Sequence, residues 1–336
     1  MHNDAIRRGQ ASRFIVTKER GSAAVLTLQH RHVGAPTAGQ SKIRVRAAGV
    51  AFGDVMRRRG LLTGPGALTP GYDVVGEVIA GDLPVGTRVA AMMPKLGHGG
   101  YAQHVIVDTE RLVLVPDGVD DVTAIALGLN YITAWQLLTR LTEPEPGASI
   151  LIHGASGGVG TALLELARIR GLRAYGTASA GRADVVSDRG GIPIDYRSED
   201  FVQVLQVAEP NGVDVVYDSI GGENFARSLG VVKRGGTLVN YGSTGHSGNG
   251  WLGFLRAQFP FARAKLSPCG PSVKMYAISM TAGWASCRDD WAALLKLADR
   301  GELTPLIGAT VPLEQAARAH QMLEDRAVPG KIVLTV

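Results

Sequence analysis

The stretch Ile150-Leu151-Ile152-His153-Gly154-Ala155-Ser156-Gly157-Gly158-Val159-Gly160 limits what this chain can fold into. A short apolar run stops in a turn of small residues, and a helical pattern starts at once. Val159, Ala162, Leu163 and Leu166 fall on one face of that helix, and Gly171 stands where a C-cap belongs. Strand, tight turn and helix bring a helix N-terminus and bare backbone N–H groups close to whatever lies above the turn. That is an anion site suited to a pyrophosphate. Its lining would be Ala155, Ser156, Gly157, Gly158, Val159 and Gly160, in the pattern Ala-x-Gly-Gly-x-Gly. Ala155 stands where such a turn usually has its first glycine. Glycine-rich turns without ligands are common, so the order of the surrounding elements has to decide.

From Phe14 to Pro116 short strands alternate with turns. Ala24–Leu28 reads as one strand, and Lys42–Ala47 alternates polar and apolar with period two, as a half-buried strand does. Gly71–Ala80, Thr87–Met92, Tyr101–Val107 and Leu112–Val115 continue the series, with a Gly- and Pro-rich loop at Gly60–Pro70. Asp121–Leu127 and Tyr131–Leu141 read as helices, the second stopped by Glu143-Pro144-Glu145-Pro146-Gly147. The rhythm then changes. Strands are expected at Ile150–His153, Leu172–Thr177, Ile192–Asp195, Val213–Asp218 and Thr237–Tyr241, with helices after the turn and at Asp200–Ala208 and Glu223–Val232. Such alternation makes a parallel sheet with helices on both faces, and behind a phosphate turn it makes a Rossmann-type domain. Beyond the irregular stretch Gly245–Pro271, Ser272–Ser279 reads as a sixth strand. Trp291–Arg300 and Leu313–Glu324 read as helices, and Lys331–Val336 as a last strand.

A chain of 336 residues suits two domains. The formal net charge is +5, and the densest basic run is Arg57-Arg58-Arg59. Neither a zinc-finger spacing nor an aromatic–basic platform accompanies it, so no nucleic-acid partner is expected. A basic tilt also favours a polyanionic cofactor. Cys269 and Cys287 form no Cys-x-x-Cys pair, so the expectation is a reducing cytoplasm without a disulfide framework. Without a long apolar run, no membrane span is expected. Met1–Arg13 is polar and basic and lacks the apolar core of a secretory signal.

Particular segments then narrow the reading. Gly49-Val50-Ala51-Phe52-Gly53-Asp54, Gly71-Tyr72-Asp73-Val74-Val75-Gly76, the turn Gly154–Gly160 and Gly330-Lys331-Ile332-Val333-Leu334 occur in this order along nearly the whole chain. Together they resemble the medium-chain dehydrogenase/reductase superfamily, in its zinc-independent quinone oxidoreductase-like and enoyl reductase branch. The resemblance implies an α/β protein with two parts. A GroES-like β-rich catalytic domain would span 1–127 and be completed by 286–336. A Rossmann NADP-binding domain, doubly wound on a parallel sheet, would span 128–285.

Zinc-dependent relatives carry Cys and His in the first two segments. Here Ala51 and Phe52 replace the Cys-His pair, and Tyr72 stands at the position of a metal-binding His. Alanine has no ligand atom and a neutral phenol is a poor zinc ligand, so no metal is expected. Two positions depart from the branch itself. Ala51 replaces an Asn and Met56 a Tyr, which implies a more apolar pocket and puts the familiar quinone substrate in question.

A site that prefers NAD places an acidic residue at the end of the second strand. Here that strand runs into Gly176-Thr177-Ala178-Ser179-Ala180-Gly181-Arg182, and the acidic position is Ala178. Ser179 and Arg182 can bind a 2′-phosphate, the arginine by a charge-assisted bond; a solvated Arg at a helix start is the plainer alternative. Tyr196 matches a position that contacts the phosphate end in the branch. The expected cofactor is therefore NADPH. Tyr241, Ser243 and Thr244 follow the fifth strand, and Thr133 matches a position at the nicotinamide end of relatives; capping is the alternative for each hydroxyl.

The implied reaction is hydride transfer from NADPH to an α,β-unsaturated carbonyl or a quinone. Tyr72 is the first candidate to donate the following proton, because its position would face the place zinc takes in relatives. Asp54 is the second. Lys95 and His98 lie in a glycine-rich loop and read as solvated, and His153 ends a buried strand and reads as a satisfied core histidine. Two alternatives stay open. One is a tailoring or enoyl-thioester reductase for a larger acyl substrate, its wide mouth shaped by Trp251, Phe254, Phe259 and Phe261. The other is a non-catalytic NADPH-binding protein. A homodimer is expected from the resemblance, through the strand at 272–279.

Overall fold

The computed structural model describes residues 10–61, 68–93, 99–242, 270–278 and 284–336. The chain divides into two compact units, Met1–Ile132 with Ala282–Val336, and Thr133–Thr281.

The first unit opens with β1 (Gln10–Val16), which pairs antiparallel with β2 (Thr27–Val33). The strand expected at Ala24–Leu28 therefore starts later. The N–H groups of Val25 and Leu26 are used in local turn bonds to Ser22 and Ala23, and Ala23–Val25 is a 3-10 turn that cannot join a ladder. β3 (Gln40–Val50) keeps the expected alternation at its centre: Ile43, Val45 and Ala47 are buried, while Arg44 and Arg46 reach Glu77 at 2.6 and 2.7 Å. Lys42 departs from it. Its stem is buried and Nζ donates to Val33 O at 2.9 Å. A helix not expected from the sequence follows, α1 (Phe52–Arg58). Then come β4 (Asp73–Gly81), β5 (Arg88–Met92), β6 (His104–Asp108) and β7 (Val113–Leu114). Asp120 caps α2 (Asp121–Ala126) by accepting from Val122 and Thr123 N–H at 2.9 Å. In α3 (Leu129–Gln136) the α-helical part stops earlier than expected, and Leu137–Leu141 winds as a π-helical turn.

The second unit alternates strand and helix: β8 (Ser149–His153), α4 (Gly158–Ile169), β9 (Arg173–Ala178), α5 (Ala183–Ser187), β10 (Gly191–Asp195), α6 (Phe201–Ala208), β11 (Val213–Asp218), α7 (Glu223–Leu229), β12 (Val232–Asn240) and β13 (Ser272–Met275). The sheet order is β10-β9-β8-β11-β12-β13 and every neighbouring pair is parallel. β8 is buried along its whole length, as a central parallel strand covered on both faces must be. Three expected boundaries move. β12 starts at Val232 rather than Thr237. α7 stops at Leu229 because Val231 and Val232 are buried and Val213 N–H pairs with Val231 O at 2.8 Å, which draws them into the sheet. The sixth strand ends at Met275 rather than running to Ser279.

The chain then returns to the first unit through α8 (Trp284–Asp299), β14 (Ile307–Pro312), α9 (Ala316–Glu324) and β15 (Lys331–Thr335). The mostly antiparallel sheet there runs β14-β15-β3-β4-β5-β7, with β6 also paired to β3. Trp291 is fully buried and its indole N–H donates to Ala124 O at 3.1 Å, fixing α8 to the end of α2. Among the described residues no helix is long and apolar enough to cross a membrane.

Candidate functional site

In the second unit the strand order reverses between β8 and β11, the place where open parallel sheets bind ligands. The chain leaves β8 through Gly154, whose φ of +68° suits glycine. A Cβ on Gly160 would come within 2.6 Å of Ala155 Cα, so glycine there lets α4 close onto the turn. Gly157 caps α4 without a side chain, and its first turn carries no acidic residue. The first-turn N–H groups thus have no side-chain cap and keep the positive end of the helix for an anion.

Beneath the turn, His153 is a satisfied core histidine. Its ring nitrogens bond Thr177 Oγ1 at 3.1 Å and Ser228 Oγ at 2.9 Å. Burial lowers its pKa to about 4, against a weaker upward pull from Asp218. Ser219, just past β11, donates from Oγ to His153 O at 3.1 Å, and the Tyr241 hydroxyl bonds Ser219. Asp218 Oδ1 accepts from Ile220 and Gly221 N–H at 2.7 and 3.0 Å and shapes that loop. Sequence reading passed over Asp218 and Ser219; their signal was position, at the end of the strand beside the switch point.

At the same carboxyl end of the sheet, β9 finishes in Ala178, which is buried and brings no carboxylate. Its carbonyl accepts from Tyr196 N–H at 3.2 Å, and Arg182 N–H donates to Ser179 O at 2.8 Å. Register pairs Asp195 with Ala178, so the ends of β9 and β10 bring Ser179, Arg182 and Tyr196 together. Tyr196 is 47% exposed, and Asp195 is occupied by Ser198 Oγ and Arg197 N–H. A hydroxyl, a guanidinium and an exposed phenol without a strand-end carboxylate fit a 2′-phosphate. Thr133 is buried on α3. Ser243 and Thr244 lie outside the described residues, as do Lys95, His98 and Trp251 to Phe261.

In the first unit, Asp54 and Tyr72 come from the two early segments. Asp54 is fully buried. One carboxylate oxygen accepts from Gly71 N–H at 2.8 Å, the other from Ala51 N–H at 3.2 Å and from the Tyr101 hydroxyl at 3.3 Å. Burial raises its pKa to about 7, against those backbone bonds. The Tyr101 hydroxyl also meets His320 Nε2 at 3.1 Å, and burial pushes His320 down to about 3. Tyr72 is 6% exposed and its hydroxyl accepts from Arg57 Nε at 3.4 Å. Burial and then the Asp54 charge raise the Tyr72 phenol, while Arg57 opposes them. Asp73, next in the chain, accepts from Leu129 N–H at 2.8 Å and stands 4.0 Å from Lys331 Nζ, with both side chains buried. Tyr101, His320, Asp73 and Lys331 took no role in the sequence reading, because nothing local marks their partners.

The residues at the zinc positions do not fit the metal. Ala51 has no ligand atom, and Tyr72 is held towards its neutral form and bonded to a cation. Among the described residues no group of three His, Cys, Asp or Glu side chains could hold a metal ion.

Fold and turn together define a two-part oxidoreductase, a GroES-like β domain with a Rossmann-like nucleotide domain. A family profile described as "Alcohol dehydrogenase GroES-like domain" matches residues 37–117, and one described as "Zinc-binding dehydrogenase" matches 191–334. The synaptic vesicle membrane protein VAT-1 homolog of Mus musculus is 32% identical over 321 residues, covering 89% of this chain and 77% of that protein. A component of the phenolphthiocerol/phthiocerol polyketide synthase of Mycobacterium tuberculosis is 31% identical over 309 residues, 90% of this chain but 14% of that much longer protein. The Escherichia coli quinone oxidoreductase complexed with NADPH matches with a TM-score of 0.83 at 26% identity, over 97% of this chain and 100% of that one. The chain belongs to the zinc-independent medium-chain dehydrogenase/reductase superfamily, in its quinone oxidoreductase-like branch.

Proposed function

We propose that this chain is an NADPH-dependent reductase of enones or quinones that works without a metal. The observation that carries the reading is the carboxylate-free end of β9, where Ser179, Arg182 and Tyr196 gather beside Ala178. The first turn of α4 and residues Ala155 to Gly160 would hold the pyrophosphate, Ser179 and Arg182 the 2′-phosphate, and Thr133 and Tyr241 the nicotinamide end. The NADPH complex of the Escherichia coli relative supports the choice of cofactor. When bound, NADPH supplies a hydride from its reduced nicotinamide.

Hydride addition to the β-carbon of an enone pushes its π electrons into an enolate, which needs a proton. In this reading the Tyr72 hydroxyl gives that proton, and water restores it afterwards. Asp54, fully buried with its oxygens turned to Gly71, Ala51 and Tyr101, acts by holding the segments that carry Tyr72 and Ala51 together.

The test is NADPH consumption with cyclohexenone and with phenanthrenequinone, in wild type and Tyr72→Phe. Turnover with either acceptor, reduced in the variant, supports the reading. NADPH binding with no turnover would favour a non-catalytic binding protein instead. The polyketide synthase relative favours a second reading, an enoyl-thioester reductase. Turnover of crotonyl thioester far above that of cyclohexenone selects it. The homodimer is also a proposal: among the described residues β13 is the last strand of its sheet, with Met275 53% exposed, and a monomer mass in light scattering would end it.

A further inference from the structure

Three consecutive arginines close α1, and their side chains do different things. Arg58 is buried and pairs with Glu324 at 2.6 Å, and Arg59 pairs with the same carboxylate. These two fasten α1 to α9. Arg57 turns instead to Tyr72. Its Nε donates to the phenol oxygen at 3.4 Å, and its guanidinium carbon lies 5.8 Å from the ring centroid. A Cβ on Gly53 would overlap the Tyr72 hydroxyl, so the glycine in the first turn of α1 leaves the room that the phenol fills.

This arrangement has a chemical direction. Arg57 has donors only, so the Tyr72 oxygen must accept from it. The phenol proton is then turned away from Arg57 and is available to another acceptor. Once the proton leaves, the phenolate stands against a guanidinium, and a hydrogen bond to a charged partner strengthens. The charges acting on Tyr72 are Asp54, which disfavours the phenolate, and Arg57, which favours it.

We propose that Arg57 is a positioning residue for proton donation by Tyr72: it aims the hydroxyl proton and stabilises the phenolate left behind. The proposal rests on the reading of Tyr72 as proton donor. The step balances. The O–H bond of Tyr72 breaks, its proton bonds to the α-carbon of the enolate, the oxygen keeps the electron pair beside Arg57, and water returns a proton.

The experiment measures kcat and KM for cyclohexenone with NADPH in Arg57→Met, Arg57→Lys, Tyr72→Phe and the Arg57→Met/Tyr72→Phe double variant. Arg57→Met should lower kcat about tenfold to a hundredfold, the size of one hydrogen bond to a charged group, with KM nearly unchanged. Arg57→Lys should recover part of it, having the charge without the planar fork. In the Tyr72→Phe background Arg57→Met should add nothing. A ring-fluorinated tyrosine at position 72, followed by fluorine NMR without cofactor or substrate, should titrate at higher pH in Arg57→Met. An unmoved titration, or an undiminished Arg57→Met effect in the Tyr72→Phe background, overturns the role of Arg57. Full kcat in Tyr72→Phe together with a moved titration overturns the proton-donor reading beneath it.

Discussion

The carboxylate of Asp54 accepts the Gly71 N–H at 2.8 Å and so ties the start of α1 to the segment entering β4. Burial raises the pKa of this acid to about 7. An acid whose folded pKa exceeds its unfolded value of about 4 favours the folded state while protonated. Its contribution is present below about pH 4 and is lost as pH rises towards 7. Thermal melts should therefore show wild type losing stability relative to Asp54→Asn across this window. Parallel melting curves would refute it.

His153 works in the opposite direction. Burial lowers its pKa to about 4, so its neutral form is the one the fold accommodates. Its contribution is full above about pH 6.5 and disappears as pH falls through 4. His153→Phe removes one hydrogen bond from each of Thr177 and Ser228, which keep Gly154 N–H and Asn224 Nδ2, and should cost about 1–3 kcal/mol at neutral pH, read by urea unfolding. The loss should shrink on acidification; a loss that grows in acid contradicts the assignment.

Gly53→Ala tests whether the place of the Tyr72 hydroxyl matters. The new methyl occupies the space of that hydroxyl, while glycine to alanine inside a helix is otherwise favourable. A displaced reacting group costs about a hundredfold in rate. We expect kcat to fall by about that factor with the dissociation constant for NADPH unchanged. An active variant would exclude Tyr72 from the reaction.

Arg182→Ala should act on cofactor choice alone. Losing one charge-assisted bond to the 2′-phosphate lowers kcat/KM for NADPH about tenfold to a hundredfold and leaves that for NADH in place. Equal losses with both cofactors would assign Arg182 a structural part.

Asp73 and Lys331 form a buried pair 4.0 Å apart, and Cβ atoms on Gly49 or Gly128 would overlap the Asp73 carboxylate. Lys331→Met strands a buried carboxylate and should cost about 3–5 kcal/mol, part of which Asp73→Asn restores in the double variant. Chemical denaturation of the singles and the double measures the coupling. Additive losses would mean that the two charges do not interact.

The parts of the fold most legible in the sequence were those whose determinants are neighbours in the chain. The apolar run of β8, the glycines of its turn and the helical face of α4 sit within a few residues of each other. So do Ala178, Ser179 and Arg182, and the lack of a carboxylate there needs no fold to be seen. Errors fell where a distant partner decided. Val232 looks like the end of a helix until its strand neighbour Val213 claims it. The Ala24–Leu28 run is the exception: there local turn bonds consume the amides of Val25 and Leu26. α1 has only a short apolar pattern, and what holds it is Asp54 reaching Gly71 and Arg58 reaching Glu324.

By itself, then, the sequence determined a glycine-rich strand–turn–helix on a parallel sheet, an alanine and a tyrosine at positions where zinc-dependent relatives carry Cys and His, and an end of β9 without a carboxylate. Each follows from residue types at short spacing, where chain geometry leaves little freedom. The tertiary structure decided which buried polar groups meet. It set Arg57 on Tyr72, Asp73 beside Lys331, and Tyr101 against His320 across 219 positions of chain. Those pairings exist because a buried charge or hydroxyl is costly until it finds a partner, and the folded sheet and helices fix which partner is in reach.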